Sequence, residues 1–173
     1  MILQTDRLQL IPYNPTLLAA LLESADRFEE ASGLRVAEGF RDFVTSGEVS
    51  PELRAKALAP GDHDPWLHGF AIVDPAERLA IGGAAFKGPP DAVGVVEIGY
   101  GVVPSYQGRG LATEAARALV GFALDEGRAK VVRAHTLRER NASVSVLTRC
   151  GFTFVGEVED PEDGPVWRWE RHA

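Results

Sequence analysis

Two kinds of hydrophobic spacing alternate along the chain, and each change marks an element. Leu8-Gln9-Leu10-Ile11 reads as the end of a first strand, stopped by Pro12 and the Asn14-Pro15 turn signal. Leu17, Leu18, Leu21 and Leu22 recur at helical spacing behind Thr16, which predicts a short helix capped by that threonine. Residues 24–65 lose the pattern. Their charges, with Gly33, Gly39, Gly47, Pro51, Pro60, Gly61 and Pro65, predict short helices with mobile links that shape substrate access. The strand pattern returns in 69–73 and 79–86, joined by a turn at Asp74-Pro75, and again in Val93 to Val103 after the loop 87–91. In that third strand Gly99 and Gly101 flank Tyr100, which predicts a bulge or a close backbone approach.

Pro104 ends the strand, and Leu111, Ala115, Ala118, Leu119 and Phe122 then form one face of a helix stopped at Gly127. Residues 131–136 read as a strand, and Asn141 as the cap of a helix through Val144, Leu147 and Cys150. Residues 152–155 and 166–169 read as a final strand pair around Asp163-Gly164. The pattern is that of a mixed α/β domain, its second half better defined than its first.

The 173 residues suit one domain, 1–173, and a charged fraction of 25% is that of an ordinary soluble protein. A net charge of −7 speaks against a nucleic-acid partner and suits a cationic one, or solubility alone. One cysteine, Cys150, rules out an internal disulfide and a Cys-rich metal site. His63, Asp64 and His68 match no strong zinc spacing, and Pro65 breaks the helix that would align them, so no metal is expected. With no signal-peptide core at the N-terminus and no apolar run of about 20 residues, the expectation is a cytoplasmic protein that does not enter a membrane.

Candidate chemistry centres on Gln107-Gly108-Arg109-Gly110-Leu111-Ala112, where the chain turns from strand to helix. The first amides of a helix lack internal partners and sit at the positive end of its dipole, so such a turn can cradle a phosphate. Arg109 could add a charge-assisted contact. A P-loop would need a Gly-Lys pair, which the chain lacks, and a dinucleotide fingerprint from Gly99 fails because Pro104 takes its third glycine position. An ordinary tight turn remains the competing reading at this point.

Beyond its shape, the segment Val96-Glu97-Ile98-Gly99-Tyr100-Gly101-Val102-Val103-Pro104, followed by 107–115, resembles the central motif of the GNAT acetyltransferases. It is most similar to the branch of RimJ/RimL-type ribosomal-protein N-terminal acetyltransferases. Thr5-Asp6-Arg7-Leu8, residues 82–90, Ser143, Leu147 and Cys150-Gly151-Phe152 extend the resemblance, whereas 24–65 contribute nothing to it. It implies a mixed, mostly antiparallel sheet of about six to seven strands with flanking helices, and a splayed strand pair that takes acetyl-CoA. It further implies direct acetyl transfer to a primary amine, a protein N-terminus or a small molecule, in a ternary complex by a monomer or homodimer. The alternatives are a non-catalytic acyl-CoA-binding module and a nucleotide-binding protein.

By the same resemblance, Gln107, Gly108, Arg109, Gly110, Leu111, Ala112 and Thr113 bind the coenzyme pyrophosphate. The backbone of Val102 and Val103 holds the pantetheine arm, and an amide near the expected bulge stabilises the oxyanion. Glu97 is the candidate general base, with partial burial expected to raise its pKa. Ser143 matches the serine of the family's Asn-x-x-Ser helix start and is the candidate acid for the departing thiolate, or else a helix cap or packing residue. The asparagine of that motif falls at Arg140, so Asn141 is a weaker coenzyme contact, and Leu147 stands where some branches carry an acidic tyrosine. Tyr100 and Tyr106 read as packing residues or phosphate-side neighbours rather than acids, and Cys150 as an inert thiol rather than an acyl carrier. Trp66 and Lys87-Gly88-Pro89-Pro90 fall where family substrates enter, and the Trp167/Trp169 region is a candidate subunit contact.

Overall fold

The computed structural model describes the chain except residues 46–50, 126, 128 and 162, and except the side chains of 43–45, 52 and 53; Gly47 therefore lies outside the described residues. The order is β1 (Leu3–Gln4), β2 (Gln9–Pro12), α1 (Pro15–Glu23), α2 (Ala25–Ser32), β3 (Arg35–Val36), α3 (Phe40–Thr45), α4 (Pro51–Leu58), α5 (Pro65–His68), β4 (Phe70–Asp74), β5 (Leu79–Phe86) and β6 (Val95–Val102). A 3₁₀ turn (Pro104–Tyr106) leads to α6 (Leu111–Asp125), β7 (Val131–Thr136), α7 (Ala142–Arg149), β8 (Thr153–Asp160) and β9 (Gly164–His172).

The strands lie in the order β1-β2-β4-β5-β6-β7-β9-β8, with β3 added beside β5. All neighbours are antiparallel except β6 with β7 and β3 with β5. The sheet has nine strands among the described residues rather than six to seven, because the two-residue β1 and β3 add to the expected set.

Alternation along β4 explains the layering. Phe70 and Ile72 enter one core with Leu119, Val120 and Ala123 of α6, while Ala71 and Val73 enter a second with Leu21, Phe28 and Phe40 of α1 to α3. A strand buried on both faces reads as a continuous apolar run, as Phe70-Ala71-Ile72-Val73 does. On β6 the pattern differs: Val96, Ile98 and Val102 face the α6 core, but Glu97 and Gly99 are not fully buried. The second face of the sheet is thus left open where the C-terminal strands begin.

Three local expectations are corrected. Asn14, not Thr16, caps α1: its side chain accepts from Leu17 N at 2.8 Å, and Pro15 takes the first helical position, where a missing N–H costs nothing. The β5–β6 ladder runs without a register shift, so of the two expected alternatives the bulge is absent there and close approach is found between Gly82 and Gly101. A Cβ on Gly82 would collide with the carbonyl oxygen of Gly101. Trp169 is buried, its indole N–H donating to Thr136 Oγ1 at 3.1 Å, so the exposed apolar side chains of the last hairpin are Phe154 and Val155.

Candidate active site

β6 and β7 pair only through Val95–Val131, Val96–Val132 and Glu97–Arg133. Beyond those pairs both strands continue apart, so the sheet splits. Lys87 N donates to Glu97 O, and Val103 N to Ile81 O, which turns the odd-numbered residues of β6 toward β5. By alternation Ile98, Tyr100 and Val102 present their backbone groups to the split. Gln107 Nε2 donates to Val102 O at 3.1 Å, tying the glycine turn to the edge of the split. Val103, by contrast, has both backbone groups engaged, with Ile81 and Tyr106. This corrects the expectation that it would hold an added strand together with Val102.

The turn itself takes two left-handed residues, Gly108 (φ 75°) and Gly110 (φ 77°), a conformation that glycine adopts without the cost of a Cβ. Glu114 N is the first amide of this helix start to find an acceptor, Gly110 O. Those of Leu111, Ala112 and Thr113 donate to no group among the described residues. Open space lies where a Gly108 Cβ would stand. Arg109 is exposed; its guanidinium donates to Ser105 O at 3.0 Å and stacks 4.8 Å from the Tyr106 ring centre.

A clamp missed in the sequence holds this turn. Glu114 Oε1 accepts from Thr5 Oγ1 at 2.6 Å and from Arg7 N at 2.8 Å, and Oε2 pairs with the Arg7 guanidinium. Arg7 Nη1 also donates to Arg109 O at 2.9 Å. Burial alone would push the Glu114 carboxyl up, but the Thr5 and Arg7 hydrogen bonds outweigh it and hold the pKa below the usual range. The Thr5-Asp6-Arg7-Leu8 motif was the available signal, yet its partner lies more than a hundred residues away.

At the mouth of the split, Glu97 Oε1 accepts from Lys87 Nζ at 2.7 Å and from His135 Nδ1 at 3.0 Å. Burial would raise the Glu97 pKa, but the His135 and Lys87 hydrogen bonds and the Lys87 charge reverse this, so the carboxyl titrates below its ordinary value. The expected upward shift is therefore corrected: Glu97 is held as the anion. Oε2 has no partner among the described residues. His135 Nε2 in turn accepts from Arg168 Nε at 3.2 Å, which places the ring proton on Nδ1. Sequence reading missed His135 and Arg168, because cross-strand register alone brings them to Glu97.

Asn141 caps α7, accepting from Val144 N at 3.1 Å, and Ser143 is exposed in the first turn of the same helix. The capping position is thus taken by Asn141 and not by Ser143. Cys150 is buried, its thiol donates to Thr113 O at 3.6 Å, and burial pushes its pKa up. Tyr100 is half-buried against the α6 core, with its phenol likewise pushed up by burial. Trp66 is 3% exposed and stacks with Phe86 and Phe122 on the α6 side, so it is core and not part of the open face. His63 and His68 lie with ring centres 6.0 Å apart, and no metal-holding group occurs among the described residues. No helix among them is long and apolar enough to cross a membrane.

A parallel strand pair split beside a glycine turn and helix N-terminus defines a GNAT acetyltransferase architecture. Residues 7–153 match the acetyltransferase (GNAT) domain family, and the chain belongs to it. Among curated proteins it is similar to the uncharacterized N-acetyltransferase YjdG of Bacillus subtilis, 28% identical over 111 residues. That match spans 64% of either chain, just under two thirds of the relative's length. Among solved structures it is similar to RimL, a ribosomal L7/L12 alpha-N-protein acetyltransferase in complex with coenzyme A, at TM-score 0.69 and 19% identity over 99% of this chain and 98% of that one. The ribosomal-protein-S5-alanine acetyltransferase of Vibrio fischeri gives 0.68 and 15%, over 99% and 96%. The microcin C7 self-immunity acetyltransferase MccE, in complex with acetyl-CoA and AMP, gives 0.63 and 18%, over 97% and 93%. At these identities the structural likeness is one of fold.

Proposed function

We propose that the chain works as one domain that transfers an acetyl group from acetyl-CoA to a primary amine, directly and in a ternary complex. The observation that carries this reading is the opening of the β6–β7 split beside the unpaired amides of Leu111, Ala112 and Thr113. In this reading those amides, with Gln107, Gly108, Arg109 and Gly110, receive the pyrophosphate at the positive end of α6. The backbone groups of Tyr100 and the amide of Val102 pair with the pantetheine arm, and Asn141 and Ser143 flank the thioester from α7. RimL and MccE, whose folds this chain shares, were solved with coenzyme A and acetyl-CoA respectively, which supports the donor.

Transfer forms a C–N bond and breaks the C–S bond, so the amine loses a proton and the departing thiolate gains one. Glu97, held anionic by Lys87 and His135, accepts the amine proton on Oε2, directly or through a water. Ser143 supplies the other to sulfur. A depressed pKa makes Glu97 a weak base but keeps it ionised, and it also attracts the ammonium form of the acceptor.

Thermal shift with coenzyme A, acetyl-CoA, ATP and NAD, followed by thiol release against a panel of amines and peptides, tests the reading. Stabilisation by the two coenzymes and turnover with an amine is the expected result. Glu97→Gln should then lower kcat by about 10²-fold or more with coenzyme affinity kept, the usual size of a general-base effect. No shift with either coenzyme overturns the donor, and unchanged turnover in Glu97→Gln overturns the base. Coenzyme binding without transfer to any amine would instead favour a non-catalytic module.

A further inference from the structure

Among the described residues, the open face beside the split carries Lys87, Arg133 and Arg168. Lys87 is paired with Glu97, and Arg133 donates through Nε and Nη2 to Glu170 Oε1 at 2.9 and 2.7 Å. Arg168 is half-buried, and its one contact among the described residues is to an imidazole, not to an anion. A partly desolvated guanidinium without a carboxylate is unfavourable, and arginine in such a place ordinarily has an anionic partner.

The surroundings of Arg168 leave room for a partner. It lies opposite Gly156 of β8, and nothing stands within 4 Å of where a Gly156 Cβ would be. Gly99, on the Glu97 side of the split, has the same open space. Only Nε is committed to His135, so the two Nη groups keep their four N–H donors, enough for a bidentate carboxylate contact. The His135 hydrogen bonds hold Arg168 and Glu97 on opposite edges of one ring. A single acceptor can therefore place its ammonium on Glu97 Oε2 and an anion on Arg168.

We infer that Arg168 is a specificity residue of the acceptor site: the preferred acceptor carries, several bonds from its reacting amine, a carboxylate that the Arg168 guanidinium takes up. The intervening imidazole makes the adjacent groups of a simple α-amino acid too short to bridge the two positions. An ω-amino acid and a peptide with an acidic second residue share the required chemistry. The inference rests on the amine-acetylating reading, and its test separates the two.

The probes are 4-aminobutyrate and 6-aminohexanoate with their amides, and the dipeptide amides Ala-Glu and Ala-Gln, each with acetyl-CoA in the thiol-release assay. Wild-type protein is expected to favour the acids over the matched amides by about tenfold or more in kcat/KM, the size of one charge-assisted contact. The two amino acids and the dipeptides show which source of carboxylate fits. Arg168→Met should lower kcat/KM for the acids by about tenfold more than for their matched amides, any change passed through the lost His135 contact being common to both, with the coenzyme thermal shift unchanged, and Arg168→Lys should keep part of the preference. Binding is read independently of turnover by titrating glutarate into the CoA-saturated protein and following the fluorescence of Trp167 and Trp169, which flank Arg168. Glutarate binding lost in Arg168→Met supports the subsite even if no amine is acetylated. Equal use of acids and amides, an equal loss for all acceptors in Arg168→Met, or glutarate titrations that do not differ between wild type and variant overturn it.

Discussion

Arg7 and Glu114 are joined twice over, guanidinium to carboxylate at 2.7 Å and backbone amide to the same carboxylate at 2.8 Å. The pair fastens the N-terminal segment to the first turn of α6, and Arg7 reaches on to Arg109 O inside the glycine turn. Glu114→Ala removes the acceptor for Thr5 and Arg7 together and should cost roughly 1–3 kcal/mol, as expected for hydrogen bonds to a charged group. It should also weaken coenzyme binding through the loosened turn. Because the folded-state pKa of Glu114 is depressed, its contribution is present above the unfolded carboxyl pKa and fades as pH falls through the folded value. Denaturation of wild type and Glu114→Ala from neutral to acid pH should show the two curves converging at low pH.

Lys87→Met tests what holds Glu97 ionised. Without the ammonium, burial acts against fewer opposing contacts and the Glu97 pKa should rise. A base must be deprotonated, so the acid limb of the kcat/KM profile should move to higher pH. A limb that stays in place would separate Glu97 from the proton transfer.

Two glycines should behave in opposite ways. Gly82→Ala forces a Cβ into Gly101 O and should lower stability by several kcal/mol on the scale of overpacked cores, about 1–3 or more. Gly108→Ala meets no protein atom and bears only the left-handed backbone penalty of about 1–2 kcal/mol. Its larger effect is expected on coenzyme Kd. Melting curves with and without coenzyme A distinguish them.

Asn141→Ala should cost about 1 kcal/mol through loss of the α7 cap. Asn141→Asp keeps a capping oxygen, so a weaker coenzyme Kd in that variant would report a direct contact and not a frayed helix. Measuring both Tm and Kd decides between the roles.

Cys150 should resist thiol reagents in the folded protein and react freely on unfolding, since it is 2% exposed and its thiol pKa is raised. Full acetyl transfer by Cys150→Ala would exclude an acyl-cysteine intermediate.

Elements whose apolar positions repeat locally were legible before the structure. β4, β5, α6 and β7 match their patterns because burial on a strand or helix face imposes period two or 3.6 on neighbouring residues. The α1 cap was misplaced by two residues, since Asn14 and Thr16 are both plausible caps and only Pro15 at the first helical position decides. Among the candidate site residues, Gln107 to Thr113 were legible as one contiguous stretch. His135, Arg168 and the Arg7–Glu114 clamp were not, because each depends on strands or helices distant in sequence.

The sequence by itself determined the turn: two glycines at the junction of strand and helix, a type of contact decided by backbone freedom over a few residues. It equally determined that Glu97 lies on the strand leading into that turn. Only the tertiary structure decided the state of Glu97. Lys87 and His135 converge on one carboxylate oxygen and overcome burial, lowering a pKa that burial alone would raise. Electrostatic balance at a site is set by groups brought together through register and topology, and those distances are not written in the spacing of residues along the chain.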